Sequence, residues 1–244
     1  MKGTLRRIPD FFLSHAAGPA RLVADAMSRT VSCLREIIFP EGAVCLGCGK
    51  ISRGECLCPS CRQELQHSDL LESWEFRELD GVPAWSLRPH RGLPRKLVLR
   101  MKHGAESRAA GELARLLRDK PPGFPEFPPD TVVTWVPAPK HRIMERCIDH
   151  GQALAKAVAR ELELDCRPLL ERRGNDRPQA RLNREQRQKN LQNAFAPRTG
   201  IAYPVLLVDD VLTTGTTALR CIQALREGGA EDITVLTATK AVQS

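Results

Sequence analysis

The chain has 244 residues, enough for one large domain or one domain with a small appendage, and enough to bury a real core without a covalent staple. Hydrophobic residues make up 42% and charged residues 27%, which excludes a disordered chain, and the longest apolar runs are too short for a membrane-spanning helix. The net charge of +8 favours anionic partners without choosing between phosphates and nucleic acid.

The first residues carry basic side chains and then Phe11-Phe12-Leu13, but Ser14 and His15 interrupt the apolar stretch at once, so a signal peptide is not expected and a cytoplasmic protein is. Residues 19–38 read as an amphipathic helix, with Pro19 in its first turn and Leu22, Val23, Ala26, Met27, Leu34, Ile37 and Ile38 on one face. Phe39-Pro40-Glu41-Gly42 breaks it.

Five of the nine cysteines then fall at 45, 48, 56, 58 and 61. In a cytoplasmic chain such a cluster reads as metal ligation rather than disulfides. Cys45-Leu46-Gly47-Cys48-Gly49 is a knuckle sequence: two thiolates two residues apart reach one ion, and Gly49 permits the positive φ that turns amides toward sulfur. Cys58-Pro59-Ser60-Cys61 repeats the spacing at the start of a helix, where Pro59 suits the first position and the N-terminus favours thiolate. Cys45, Cys48, Cys58 and Cys61 would close a tetrahedral, structural Zn²⁺ site, with Cys56 the alternative to Cys58. The scattered cysteines read as small buried hydrophobes.

Val82–Leu87 resembles a strand bridging to the next domain. Helices are expected near 93–102 and 106–118, and the five prolines of 121–129 demand a loop. Then come a strand at 131–137, a helix near 150–163, an extended piece at 167–172, a strand at 205–210, a helix over 216–227, Gly228-Gly229 and a strand at 233–238. Buried β-branched runs alternating with helices predict βαβ units and a parallel sheet. The boundaries that follow are an N-terminal helical region over 1–40, a Cys₄ zinc module over 41–68, a connecting segment over 69–92 and an α/β domain over 93–244.

The segment VLLVDDVLTTGTTALRCIQAL (205–225) carries the most chemistry. A buried strand ends at Asp209-Asp210, a loop runs from Val211 to Gly215, and a helix begins near Thr216. In a parallel sheet that loop lies at the carboxyl edge, where ligands bind. Helix-start amides, the hydroxyls of Thr213, Thr214, Thr216 and Thr217, and the close approach allowed by Gly215 would cradle a phosphate monoester. The two carboxylates would accept hydrogen bonds from a sugar diol, directly or through Mg²⁺-bound water. A sugar 5-phosphate with a free diol satisfies all of these groups. A response-regulator receiver also has an acidic pair, but on its first strand, whereas only 34 residues follow Asp210; no GxxxxGK[ST] motif is present.

This segment resembles the phosphoribosyl-pyrophosphate (PRPP) loop of type I phosphoribosyltransferases, and the chain from about 37 to 240 resembles the ComF family of competence-associated proteins. The likeness is carried by the cysteine module, by LVLRMKHG (97–104), by WVPAPKHR (135–142), and by Gln179, Arg187, Asn190 and Phe195 within 177–195. It departs where the family reads Arg-Gly-aromatic-Asn-Gln-Ala: here stand Arg146, Cys147, Ile148, Asp149, His150 and Gly151. The resemblance implies a phosphoribosyltransferase-like domain behind a zinc module. It also implies that Asp209 and Asp210 hold ribose hydroxyls and that Thr213, Thr214, Gly215, Thr216 and Thr217 hold the 5-phosphate. Ala138, Pro139 and Lys140 would form the pyrophosphate side, with Lys102 adding charge. Two functions are compatible with it: binding PRPP with Mg²⁺, and single-stranded DNA, beside the DNA-uptake machinery, or phosphoribosyl transfer to an unidentified acceptor.

Residues 171–190 set seven cations against three carboxylates. Arg181, Arg184 and Arg187 would line a groove for single-stranded nucleic acid, or a flap closing over pyrophosphate, or a solvated basic surface. The stretch has no aromatic side chain on which a base could stack.

Overall fold

The computed structural model describes residues 44–52, 54–67, 74–103, 106–139, 143, 149–173, 194–198 and 200–242. The helix expected over 19–38 lies outside these residues. So do Lys140, Arg146–Ile148, and Arg181, Arg184 and Arg187 of the basic stretch.

The elements in order are α1 (Pro59–His67), β1 (Glu75–Leu79), β2 (Val82–Pro89), α2 (Gly92–His103), α3 (Arg108–Ala114) continued by a 3-10 turn (Arg115–Asp119), β3 (Val132–Trp135), α4 (His150–Leu162), β4 (Asp165–Cys166), β5 (Leu170–Arg172), β6 (Phe195–Pro197), β7 (Val205–Leu212), α5 (Thr216–Glu227) and β8 (Ile233–Lys240). Six strands form one sheet in the order β1-β2-β8-β7-β3-β4, parallel except for the β1–β2 hairpin; β5 and β6 pair separately as an antiparallel ribbon. The expected α/β class with a parallel sheet is what the chain adopts.

Alternation along the central strands divides the core in two. Leu206, Val208, Leu236 and Ala238 face α2, α3 and α4, whereas Val205, Leu207, Ile233 and Val235 face α5 and the ribbon. In α2, Leu93, Leu97 and Met101 recur four residues apart and are buried with Val98, giving one apolar stripe. The cysteine module is part of the first core: Cys45, Leu46, Leu57, Cys61 and Leu65 are buried in the same cluster as Leu93 and Leu97.

Three features differ from the sequence reading. Within the segment 69–92, read as a connection, the strand expected at Val82–Leu87 is present as β2, but it joins the sheet in parallel with β8 and carries an unexpected partner, β1. Leu170–Arg172 leaves the sheet for the ribbon, because its partner is the distant Phe195–Pro197. Strand β7 does not stop at the acidic pair but runs to Leu212, since Val211 and Leu212 stay in register with Thr239 and Lys240; the loop shortens to 213–215.

Candidate functional site

The thiol cluster forms at the start of α1. The sulfurs of Cys45, Cys48, Cys58 and Cys61 all lie within 4.8 Å of one another. Gly49 N–H donates to Cys45 O at 2.9 Å, closing the knuckle, and Gly49 takes φ 76° as expected. The Cys45 sulfur accepts from the amides of Gly47 and Cys58, at 3.4 and 3.2 Å. Burial pushes the Cys45 thiol up, but backbone N–H groups and the Cys61 side chain outweigh it and bring it down to about 6. Burial pushes Cys61 well up, reinforced by the other three cysteines. Four soft donors at tetrahedral spacing, one already biased to thiolate by backbone donors, suit a metal such as zinc. Cys56 stands apart and lines a groove with Arg108, Glu112 and Arg115; burial and the Glu112 charge raise its thiol.

The second cluster is at the carboxyl edge of β7. Asp209 and Asp210 point to opposite faces because they are consecutive strand residues. Asp210 is 7% exposed and turns into the α2–α4 side. Lys102, in the last turn of α2, places Nζ 2.8 Å from Asp210 Oδ1; His150, the first residue of α4, places Nε2 3.0 Å from Asp210 Oδ2. Burial alone would raise the Asp210 carboxyl, but His150 and Lys102 hold it below the ordinary carboxylate range. Asp209 meets no ion pair among the described residues. Its Oδ1 accepts the Asp210 N–H at 2.8 Å, and burial together with the Asp210 charge lifts its carboxyl to about 7. The pair is thus divided, one member clamped inward by Lys102 and His150 and the other making no ion pair among the described residues.

Beyond the strand, Thr213, Thr214, Thr216 and Thr217 are exposed and Gly215 is buried. Gly215 takes φ 84° as the N-cap of α5 and has no side chain to cap it; the Thr214 hydroxyl accepts the Thr216 N–H at 3.4 Å. A Cβ at 215 would stand 2.9 Å from Leu79 Cδ2, so the position requires glycine for both conformation and space. Thr214 and Thr216 hydroxyls lie 2.9 Å apart. The loop therefore presents four threonines and the N-terminus of a 12-residue helix on the edge that carries Asp209.

Ala138 and Pro139 lie in the half-buried segment after β3, where Val136 N–H donates to Val208 O at 3.2 Å and ties it to β7. Lys102, expected to add charge on a pyrophosphate side, stands against Asp210.

His150 was absent from the sequence-based site. No signal near 150 points to it, because its partner, Asp210, lies far along the chain. Asp149 caps α4, accepting from Gln152 N–H at 3.1 Å and from Trp135 Nε1 at 3.3 Å, while His150 reaches Asp210. A second missed group is His90, whose Nδ1 lies 2.8 Å from Thr239 Oγ1, which in turn donates to Asp210 O at 3.2 Å. No described helix is long and apolar enough to cross a membrane.

No family model matches the chain. The chain is similar over most of its length to curated proteins. It is 26% identical over 226 residues to "Competence protein F" of Haemophilus influenzae, covering 85% of this chain and 94% of that one. It is 28% identical over 219 residues to "DNA utilization protein YhgH" of Salmonella typhi, covering 83% and 92%. The protein of the same name in Escherichia coli K12 is 26% identical over 217 residues, again covering 83% and 92%. Among solved structures, the allosteric regulatory enzyme of purine biosynthesis aligns with TM-score 0.38 and 18% identity, over 73% of this chain and 30% of that chain. Adenine phosphoribosyltransferase aligns with TM-score 0.33 and 14% identity over 73% and 99%. Mycobacterium tuberculosis orotate phosphoribosyltransferase aligns with TM-score 0.32 and 16% identity over 74% and 96%.

Proposed function

We propose that this relative of Competence protein F and the YhgH proteins binds phosphoribosyl pyrophosphate with Mg²⁺ at the β7–α5 junction, holds a structural Zn²⁺ on its four clustered cysteines, and engages single-stranded DNA during DNA uptake. The observation that carries the ligand is the β7–loop–α5 junction. Asp209, which makes no ion pair among the described residues, sits one short loop before four exposed threonines and the N-terminus of α5. A phosphate monoester fits the amides and hydroxyls, and a vicinal diol fits a carboxylate oxygen.

Mg²⁺, when bound with the ligand, neutralises pyrophosphate charge. Asp209 would approach it through water. Thr213, Thr214, Thr216, Thr217 and the Gly215 backbone orient the 5-phosphate, and Ala138 and Pro139, with Lys140, flank the pyrophosphate side. The DNA assignment is supported by the name of the YhgH relatives, DNA utilization protein, and by the basic stretch with Arg181, Arg184 and Arg187.

The test is a PRPP titration in Mg²⁺ followed by heat and by melting temperature. Wild type is expected to gain stability by mass action. Asp209→Asn with Asp210→Asn is expected to abolish the gain while the protein still folds. A double variant that shifts as wild type does overturns the pocket.

A further inference from the structure

We propose that His150 is a positioning residue of the ligand site: by holding Asp210 it fixes Asp209 as the carboxylate offered to the sugar hydroxyls. This rests on the phosphoribose reading above.

Both oxygens of Asp210 are engaged, Oδ1 by Lys102 and Oδ2 by His150, and the donors come from two helices on the same face of the sheet. A carboxylate so held and 7% exposed is a poor acceptor for an incoming diol. Asp209 is held differently. Its Oδ1 accepts the Asp210 N–H of the same strand at 2.8 Å, and among the described residues no side chain takes its second oxygen, so with both oxygens of Asp210 engaged Asp209 is the carboxylate left for the ligand. His150 acts through Asp210 and needs no contact with the ligand.

Asp149, His150 and Gly151 have a single physical account in this geometry. Asp149 anchors the start of α4 to β3 through Trp135. Gly151 lets that helix start lie against the strand, since a Cβ there would stand 3.2 Å from Val136 O. His150, held between these two, is thereby aimed at a strand neighbour of β3. What Asp210 Oδ2 requires at this position is an N–H donor of limited reach. A glutamine amide supplies one; an aliphatic side chain does not. Among the described residues the imidazole Nδ1 is buried without a hydrogen-bond partner, so the ring is retained at a cost that its Nε2 contact offsets.

The experiment measures PRPP binding by calorimetry in Mg²⁺ for wild type, His150→Gln and His150→Leu, with each protein's melting temperature recorded without ligand. His150→Gln is expected to stay within about threefold of wild type. His150→Leu is expected to bind at least about tenfold more weakly at temperatures where it is folded, the scale of losing one charge-assisted hydrogen bond. Ribose 5-phosphate is expected to lose as much as PRPP, whereas inorganic pyrophosphate, which has no diol, is expected to lose nothing. If His150→Leu does not fold, His150→Ala, which removes the donor without new bulk, is read in the same way. Wild-type affinity in the variant lacking the donor overturns the inference and leaves the phosphoribose reading standing. Equal weakening by Gln and Leu also overturns it, because ring packing rather than donation would then matter. A wild-type protein that takes up no PRPP ends the reading and the inference together.

Discussion

Gly47 passes so close to Cys61 that a Cβ on residue 47 would stand 2.8 Å from the Cys61 sulfur and 2.9 Å from Leu93 Cδ1. The knuckle backbone is therefore wedged between a thiol and the first turn of α2. Gly47→Ala is expected to push Cys61 off its position, lowering zinc affinity at least about tenfold and destabilising the chain by about 1–3 kcal/mol through overpacking. Competition with a chromogenic chelator reads the affinity, and unchanged zinc retention would refute the contact.

Removing a donor outright is the stronger test of the same cluster. Purified protein is expected to carry one zinc, and Cys45→Ser to lose it together with stability, because metal-binding free energy is folding free energy in such a module. Cys56→Ser is expected to keep the metal, since Cys56 lies outside the four-sulfur cluster. Elemental analysis of the three proteins decides.

Asp209 carries a pH prediction. Its folded carboxyl lies at about 7, raised by burial and by Asp210. A raised carboxyl binds its proton more tightly in the folded state. The stability this provides is complete below the ordinary carboxylate value of about 4 and is lost as pH rises toward 7. Without ligand and in chelator, Asp209→Asn is expected to melt several degrees above wild type at pH 8, where about 1 kcal/mol corresponds to about 2–4 °C, and with a smaller gain at pH 5. Thermal scans at both values check the sign; a gain that grows toward acid contradicts it.

Gly215 tests the loop without touching a charge. Gly215→Ala must adopt φ 84° and meet Leu79, which is expected to cost about 1–3 kcal/mol and to weaken PRPP binding by displacing Thr214 and Thr216. Wild-type affinity in a folded Gly215→Ala protein would separate the loop from the ligand.

The basic stretch is tested by salt. Single-stranded DNA affinity is expected to fall steeply with ionic strength, and replacing Arg181, Arg184 and Arg187 with Ala to weaken it and flatten the slope, with little effect on PRPP. If the triple variant instead loses PRPP and keeps DNA, the stretch is a flap over pyrophosphate. A gel-shift salt series beside a PRPP titration reads both.

The sequence disclosed what is local. The repeated two-residue cysteine spacing selected four sulfurs that meet in space, and alternating buried runs announced the parallel sheet. The acidic pair followed by Thr-Thr-Gly-Thr-Thr marked the carboxyl edge. What it hid depends on partners far along the chain. Nothing near 150 indicates that His150 meets Asp210, because the contact is made by α4 returning beside β7. The hairpin of β1 and β2 gained its place from β8, some 150 residues later. The end of β7 was misjudged for the same reason: two adjacent carboxylates look like a strand terminus, yet β8 continues to pair beyond them to Lys240. The placement of short motifs was legible, and pairing across the sheet was not.

Helix α2 has Leu93 against the cysteine knuckle and Lys102 on Asp210. It is a single rod of 12 residues, about 18 Å from end to end, with no proline or kink beyond its first turn. The thiol cluster and the carboxylate pair are consequently tied to opposite ends of one helix. Losses caused by substitutions at the two ends are expected to add, because the residues concerned share no contact, and a double variant that departs from additivity would reveal strain carried along the helix.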